Sequence, residues 1–227
     1  MFIKICGITT EEDALLAIAL GADALGFVFA SGSPRMVTVD EASDIVKHLP
    51  YDEVVTFGVF RDERPERVAQ IVNTVGLKGA QLHGREPATE VVYVRQRVPL
   101  VIQGFAAGDP ALSMASEGPA DFVLLDAPDP GSGRVFDWCD IDGALDGVRL
   151  FLAGGLTSEN VADAIWRVRP WGVDVSTGVE TAPGSGRKDP RKLRRFIEAA
   201  RVAGAALERE RTTGDRGHPY DWQAEGA

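Results

Sequence analysis

VRLFLAGG at 148–155 and WGVDVSTGVE at 171–180, separated by TSENVADAIWRV at 157–168, decide the fold of this chain. The first two are short apolar runs that stop at glycines or small hydroxyl residues, as a buried strand does when its end is cleared for close backbone approach. Between them Val161, Ala164, Ile165 and Val168 recur at helical spacing, with Thr157 or Ser158 available as a cap. The order is strand, helix, strand. Two adjacent strand ends with uncluttered N–H groups, at Gly154–Gly155 and Ser176–Thr177–Gly178, would cradle a phosphate at the last two strands of a (β/α)8 barrel.

Six further strands precede them, at 2–6, 24–29, 54–60, 78–82, 99–104 and 121–126. Helices are expected from Thr9 or Thr10 to Leu20, and over 40–48, 65–74 and 86–97, with a short one at 109–117. The sixth strand leads into a proline- and glycine-rich loop at 127–136 and a short or irregular helix at 137–145, and a closing helix spans 189–209. Eight alternations of about 25 residues favour an α/β single-domain (β/α)8 TIM barrel over an open doubly wound sheet, its competitor with the same local pattern. The barrel is expected over 1–209, followed by a flexible extension over 210–227 with no apolar period and no assigned function.

The chain has 227 residues, which suits one barrel of about 250 with short connections. With 44% apolar and 26% charged residues, it reads as a soluble globular protein. No apolar run is long enough for a membrane span, and MFIKICGITTEEDA lacks the apolar core of a signal peptide, so a cytoplasmic location is expected. The net charge of −10 disfavours nucleic acid and anionic membrane as partners, yet permits a local pocket for a small anion. Cys6 and Cys139 show no metal-ligand spacing, and His48, His83 and His218 do not cluster, which argues against a metal-dependent sugar epimerase on this scaffold. Nor is there a dinucleotide or nucleoside-triphosphate fingerprint.

In a barrel the C-terminal strand ends form the active face, so Cys6, Arg35, Gln81, His83, Asp126, Gly154–Gly155 and Ser176–Gly178 converge there. Cys6, with Phe2, Ile3, Ile5 and Ile8 around it, reads either as a buried core thiol or as a thiolate base open to the pocket. Asp126 follows four apolar residues, where an unpaired carboxylate is costly. It reads as a cap for the next loop or as an acid whose partial burial lets it donate a proton. Arg35 is either a solvated loop charge or a bidentate clamp on a carboxylate. His83 is either a structural histidine or a polar pocket wall.

Taken in order, KICGIT at 4–9, GFVF and SPR within 26–35, QLHG at 81–84, LLD at 124–126, FDW at 136–138, LAGGL at 152–156 with ENV at 159–161, and DVSTGVE at 174–180 resemble phosphoribosylanthranilate isomerase. The resemblance runs from about residue 2 to 200. It implies an Amadori rearrangement of N-(5-phosphoribosyl)anthranilate to the aminodeoxyribulose phosphate in tryptophan biosynthesis. No metal or cofactor would be used, and the protein would be a monomer or homodimer with a phosphorylated small-molecule substrate. Carried over by position, Cys6 would be the general base and Asp126 the general acid. Arg35 would hold the anthranilate carboxylate, and Gln81 and His83 would line the pocket. Gly154, Gly155, Asp174, Ser176, Thr177 and Gly178 would bind substrate, chiefly at its phosphate. The chain departs from the family pattern in PDPGSGRVFDW after Asp126, in TAPGSGRKD after Glu180 and in its C-terminal extension. Two rivals are the histidine-pathway isomerase, expected to carry a carboxylate at the first strand and two phosphate cradles, and a non-catalytic phosphate-binding barrel.

Overall fold

The computed structural model describes residues 1–127 and 147–214. Its eight parallel strands close in chain order, β1 (Phe2–Cys6), β2 (Ala24–Val28), β3 (Val55–Phe60), β4 (Gly79–Leu82), β5 (Leu100–Ala106), β6 (Phe122–Asp126), β7 (Leu150–Leu152) and β8 (Gly172–Val175), with β8 pairing back onto β1. An open sheet is thereby excluded. Outside lie α1 (Glu11–Ala19), α2 (Val39–Val46), α3 (Pro65–Val75), α4 (Ala88–Arg95), a 3-10 helix (Pro110–Glu117), α5 (Val161–Val168) and α6 (Pro190–Gly214). No described helix is long and apolar enough to cross a membrane.

Several boundaries differ from the sequence pattern for local reasons. Helix α4 begins at Ala88, because Pro87 disfavours helical backbone at Glu86. Glu86 instead turns its carboxylate onto the N–H groups of Asp62 and Gly84. Helix α5 begins at Val161 with Asn160 at its N-cap: the Asn160 amide accepts from Thr157 N–H and donates to Gly155 O, tying the loop after β7 into one unit. Strand β7 is three residues long because Gly154 and Gly155 take positive φ angles, +84° and +65°, that break the ladder. Helix α6 continues to Gly214, past the expected end at 209, and residues 215–227 lie outside the described residues, as do the expected loop and helix over 128–146.

What positions the site is the two-residue period of the strands. Ile3, Ile5, Leu25, Phe27, Ala80, Leu82, Val123 and Leu125 point outward into the core shared with the helices. Their alternates fill the barrel in layers. Phe57, Phe122 and Phe151, with Phe2 and Trp171 against them, close the N-terminal end; the Phe122 and Phe151 ring centroids are 5.5 Å apart. Gly79 lies opposite Phe57, and Gly172 opposite Phe151, where a methyl group would stand 2.6 Å and 2.8 Å from the rings. Above this apolar plug the same inward positions become polar: Lys4 and Cys6 on β1, Gln81 on β4, Asp126 on β6 and Asp174 on β8. An apolar floor therefore supports a polar ceiling.

Candidate active site

A cleft of about 950 Å³ opens at the C-terminal end of the barrel, and every residue singled out from the sequence lines it: Cys6, Arg35, Gln81, His83, Asp126, Gly154, Gly155, Asp174, Ser176, Thr177 and Gly178. Among the described residues no group of three or more His, Cys, Asp or Glu is arranged to hold a metal ion.

Cys6 is 8% exposed and sits between Val28 and Val59, so the thiol is both buried and on the cleft wall. Its expected apolar company is corrected: Ile3, Ile5 and Ile8 pack on the far side of the sheet, and the inward neighbour on its own strand is Lys4. Lys4 is fully buried and its Nζ donates to Asp174 Oδ1 at 3.0 Å. Behind Cys6, Lys188 Nζ donates to the Cys6 carbonyl at 2.7 Å and more weakly to Ser176 O at 3.4 Å. Burial pushes the Cys6 thiol above its ordinary pKa; the charges of Lys4 and Lys188 pull it back and Asp174 pushes it further up. Burial alone would depress Lys4, but Asp174 and Cys6 outweigh it and hold the ammonium above its usual value.

Asp126 caps the chain leaving β6 and also faces the cleft. Oδ1 accepts from the N–H of Ala127 at 2.7 Å, which caps the chain as it leaves β6. Oδ2 is turned to the cleft, 3.3 Å from His83 Nε2. The amide Nε2 of Gln81 lies 2.8 Å from His83 Nδ1; with the amide as donor and Nδ1 as acceptor, the tautomer that carries its proton on Nε2 turns that N–H toward Asp126. Gln81 Oε1 and Ser176 Oγ are buried at the cleft without a partner among the described residues. Both are free to meet polar groups of a ligand.

The reading of Arg35 as a solvated loop charge is corrected, since the residue is 8% exposed. Its Nε and Nη2 grip the carboxylate of Glu180 at 2.6 and 3.1 Å, and Nη2 also donates to Thr177 Oγ1 at 2.8 Å. Only Nη1 is left without an acceptor among the described residues. Glu180 is fully buried, accepts from Gly184 N–H at 2.8 Å and lies 3.6 Å from Lys188 Nζ. Burial would raise its carboxyl, but the Arg35 hydrogen bond and the charges of Lys188 and Arg35 hold it below the usual range. Lys4, Glu180 and Lys188 are buried charged residues behind the cleft that sequence reasoning passed over. Only for Lys4 was there a signal, its place two residues before Cys6 on the same strand face.

The two glycine-flanked strand ends meet as expected. A side chain on Gly178 would run into the carbonyl of Leu156, so the loops after β7 and β8 pack backbone to backbone. Residues Thr177–Val179 form a 3-10 turn whose first N–H groups, at Thr177 and Gly178, have no acceptor within the turn and line the cleft. The geometry offers a thiol, a carboxyl, a guanidinium edge and a nest of amides around one space.

A family model described as N-(5'phosphoribosyl)anthranilate (PRA) isomerase matches residues 3–199. The N-(5'-phosphoribosyl)anthranilate isomerase of Desulforudis audaxviator is 48% identical over 208 residues, covering 88% of this chain and 98% of its own. The crystal structure of phosphoribosyl anthranilate isomerase from Thermus thermophilus aligns with a TM-score of 0.82 and 41% identity over 89% of this chain and 99% of its own. A second crystal structure of such an isomerase, in complex with reduced 1-(o-carboxyphenylamino)-1-deoxyribulose 5-phosphate, aligns with a TM-score of 0.79 and 39% identity over 89% of this chain and 99% of its own.

Proposed function

Because the chain belongs to the N-(5'-phosphoribosyl)anthranilate isomerase family and is an isomerase of tryptophan biosynthesis, we propose that Cys6 and Asp126 are the base and acid of its reaction. The observation that carries this assignment is their convergence from β1 and β6 onto one cleft that also holds Arg35 and the amides of the β7 and β8 loops. Phosphate at Gly154, Gly155 and residues 176–178, and carboxylate at Arg35 Nη1, fix the two ends of N-(5'-phosphoribosyl)anthranilate and leave its sugar between thiol and carboxyl. Gln81 Oε1 and Ser176 Oγ, unpartnered among the described residues, and the Asp174 carboxylate on the cleft wall are available to receive sugar hydroxyls.

Asp126 donates a proton to the furanose ring oxygen as the C1′–O bond breaks, leaving an iminium between C1′ and the anthranilate nitrogen. Cys6 as thiolate then removes the C2′ proton. The C2′–H pair becomes the C1′–C2′ double bond, the iminium pair returns to nitrogen, and the enolamine tautomerises to the ketone. The iminium is the electron sink, so these steps call for no cofactor. Freshly generated substrate mixed with the protein should lose its anthranilate-linked fluorescence, whereas the histidine-pathway aminoaldose should be left unchanged. Turnover of the second substrate alone would place the chain with the histidine-pathway enzymes, and binding of either without turnover would favour the non-catalytic barrel. The protein is proposed to act as a monomer or homodimer.

The Arg35 assignment predicts a split in kinetic constants. Glu180→Gln removes the anion that holds two buried cations, Arg35 and Lys188, and frees the guanidinium to rotate. KM is expected to rise at least about tenfold with a smaller fall in kcat, because the lost contact orients substrate in ground and transition states alike. Urea unfolding should show a loss of about 3 kcal/mol, typical of a broken buried pair. An unchanged KM would show that Arg35 does not hold the carboxylate.

A further inference from the structure

The geometry points to Lys4 as a positioning residue that lowers the cost of the Cys6 thiolate that accepts the substrate proton, with Asp174 acting as the tether that aims the ammonium. This rests on Cys6 being the base. Lys4 and Cys6 alternate on β1 and share the inward face. A methyl group on Gly26, the β2 residue paired with Cys6, would stand 2.8 Å from Cys6 Sγ and 3.2 Å from Lys4 Nζ. The two head groups thus meet over a residue that has no side chain to part them. Lys4 is completely buried, and its Nζ donates across to β8, to Asp174 Oδ1 at 3.0 Å. A lysine is costly in such a place unless it faces anions, and besides Asp174 the group beside it is the thiol.

The other charges around Cys6 serve it less: Lys188 also draws the thiol pKa down, but by less than Lys4 does. Lys188 turns its ammonium to the Cys6 carbonyl and to Glu180, and burial pulls its pKa down, whereas Lys4 is held up as a cation. Arg35 passes beside Gly7 with its fork on Glu180. Asp174 disfavours a thiolate, and Asp126 and His83 stand at the sixth and fourth strand ends with each other as neighbours. Lys4 is therefore the cation placed to offset the desolvation of a buried thiolate. It has no need to touch substrate to do so.

The test titrates Cys6 in a Cys139→Ser background, following the rate of alkylation by iodoacetamide and thiolate absorbance against pH. Lys4→Met should raise the Cys6 midpoint by about one pH unit or more, since an opposite charge within about 4–6 Å shifts a pKa by about 1–3 units. With it, kcat/KM should fall about tenfold at a fixed pH below the midpoint, with little change in KM. Lys4→Arg, which keeps the charge, should restore part of the shift. An unchanged midpoint in folded Lys4→Met overturns the inference. If Lys4→Met does not fold, the unmutated chain with carbon-13 lysine decides the matter: the Lys4 Cε resonance should move as Cys6 titrates and should not move in Cys6→Ser, and a resonance indifferent to Cys6 overturns the inference equally. A shifted midpoint combined with normal turnover by Cys6→Ala would uphold the Lys4–Cys6 coupling and reject Cys6 as the base.

Discussion

Cys6→Ala is expected to lower turnover at least about 100-fold, the lower range for loss of a positioned base, while leaving the barrel folded. The thiol contributes little to packing that alanine cannot replace, because its neighbours on the inner face are Val28 and Val59 above the aromatic floor. KM should change little, since the guanidinium edge of Arg35 and the amides of the β7 and β8 loops are untouched. The pH dependence supplies a second signature. Burial pushes the thiol pKa above its ordinary value, so forming the thiolate costs more in the cleft than in water. The wild-type kcat/KM should therefore depend on pH through the Cys6 midpoint, together with the acid that must keep its proton. The residual rate of Cys6→Ala should lack the change at the Cys6 midpoint. Steady-state fluorescence assays across pH 6–10, with circular dichroism to confirm folding, read both effects; near-wild-type turnover by a folded Cys6→Ala protein would falsify the assignment.

Residue patterns carried the architecture further than they carried the electrostatics of the site. Strand β1 has the bounds its apolar run suggests, and Cys6 and Asp126 end β1 and β6 as expected, because a strand with both faces buried is written as a continuous apolar run whose ionisable end stands out. The helix starts were less legible. Thr157 reads as the cap and its hydroxyl accepts from Glu159 N–H, but the N-cap position itself falls at Asn160, whose side chain ties the preceding turn without capping the helix. The pairing of Lys4 was not legible: its partner Asp174 is 170 positions away, and only closure of β8 onto β1 brings the two together. Arg35 shows the same limit, since Glu180, 145 positions on, decides which edge of the guanidinium is left for a ligand. Local pattern reports which residues face inward, and barrel closure decides which of them meet.

Asp126→Asn is expected to match the Cys6 loss, at least about 100-fold in turnover, for a different physical reason. The asparagine carbonyl can keep the bond from Ala127 N–H that now runs to Oδ1 at 2.7 Å, so the exit from β6 and the fit of Gly154 against it are preserved. What disappears is an acidic proton. Without it the furanose ring oxygen must leave as an alkoxide, and the iminium that makes C2′–H acidic does not form, so an intact Cys6 has no acidified proton to remove. The amide NH2 would also face the Nε2–H of His83, 3.3 Å away in the native pair, setting two donors against each other. Relief requires His83 to move its proton to Nδ1 and the Gln81 amide to turn its oxygen there, a rearrangement visible in the histidine ring resonances. Addition of His83→Asn should then cost little beyond Asp126→Asn alone, because without the acid its neighbour has nothing left to orient. Substrate depletion by the single and double variants, measured beside thermal unfolding, tests the chain of inference. Retained ring opening in folded Asp126→Asn would transfer the acid role to another group in the cleft.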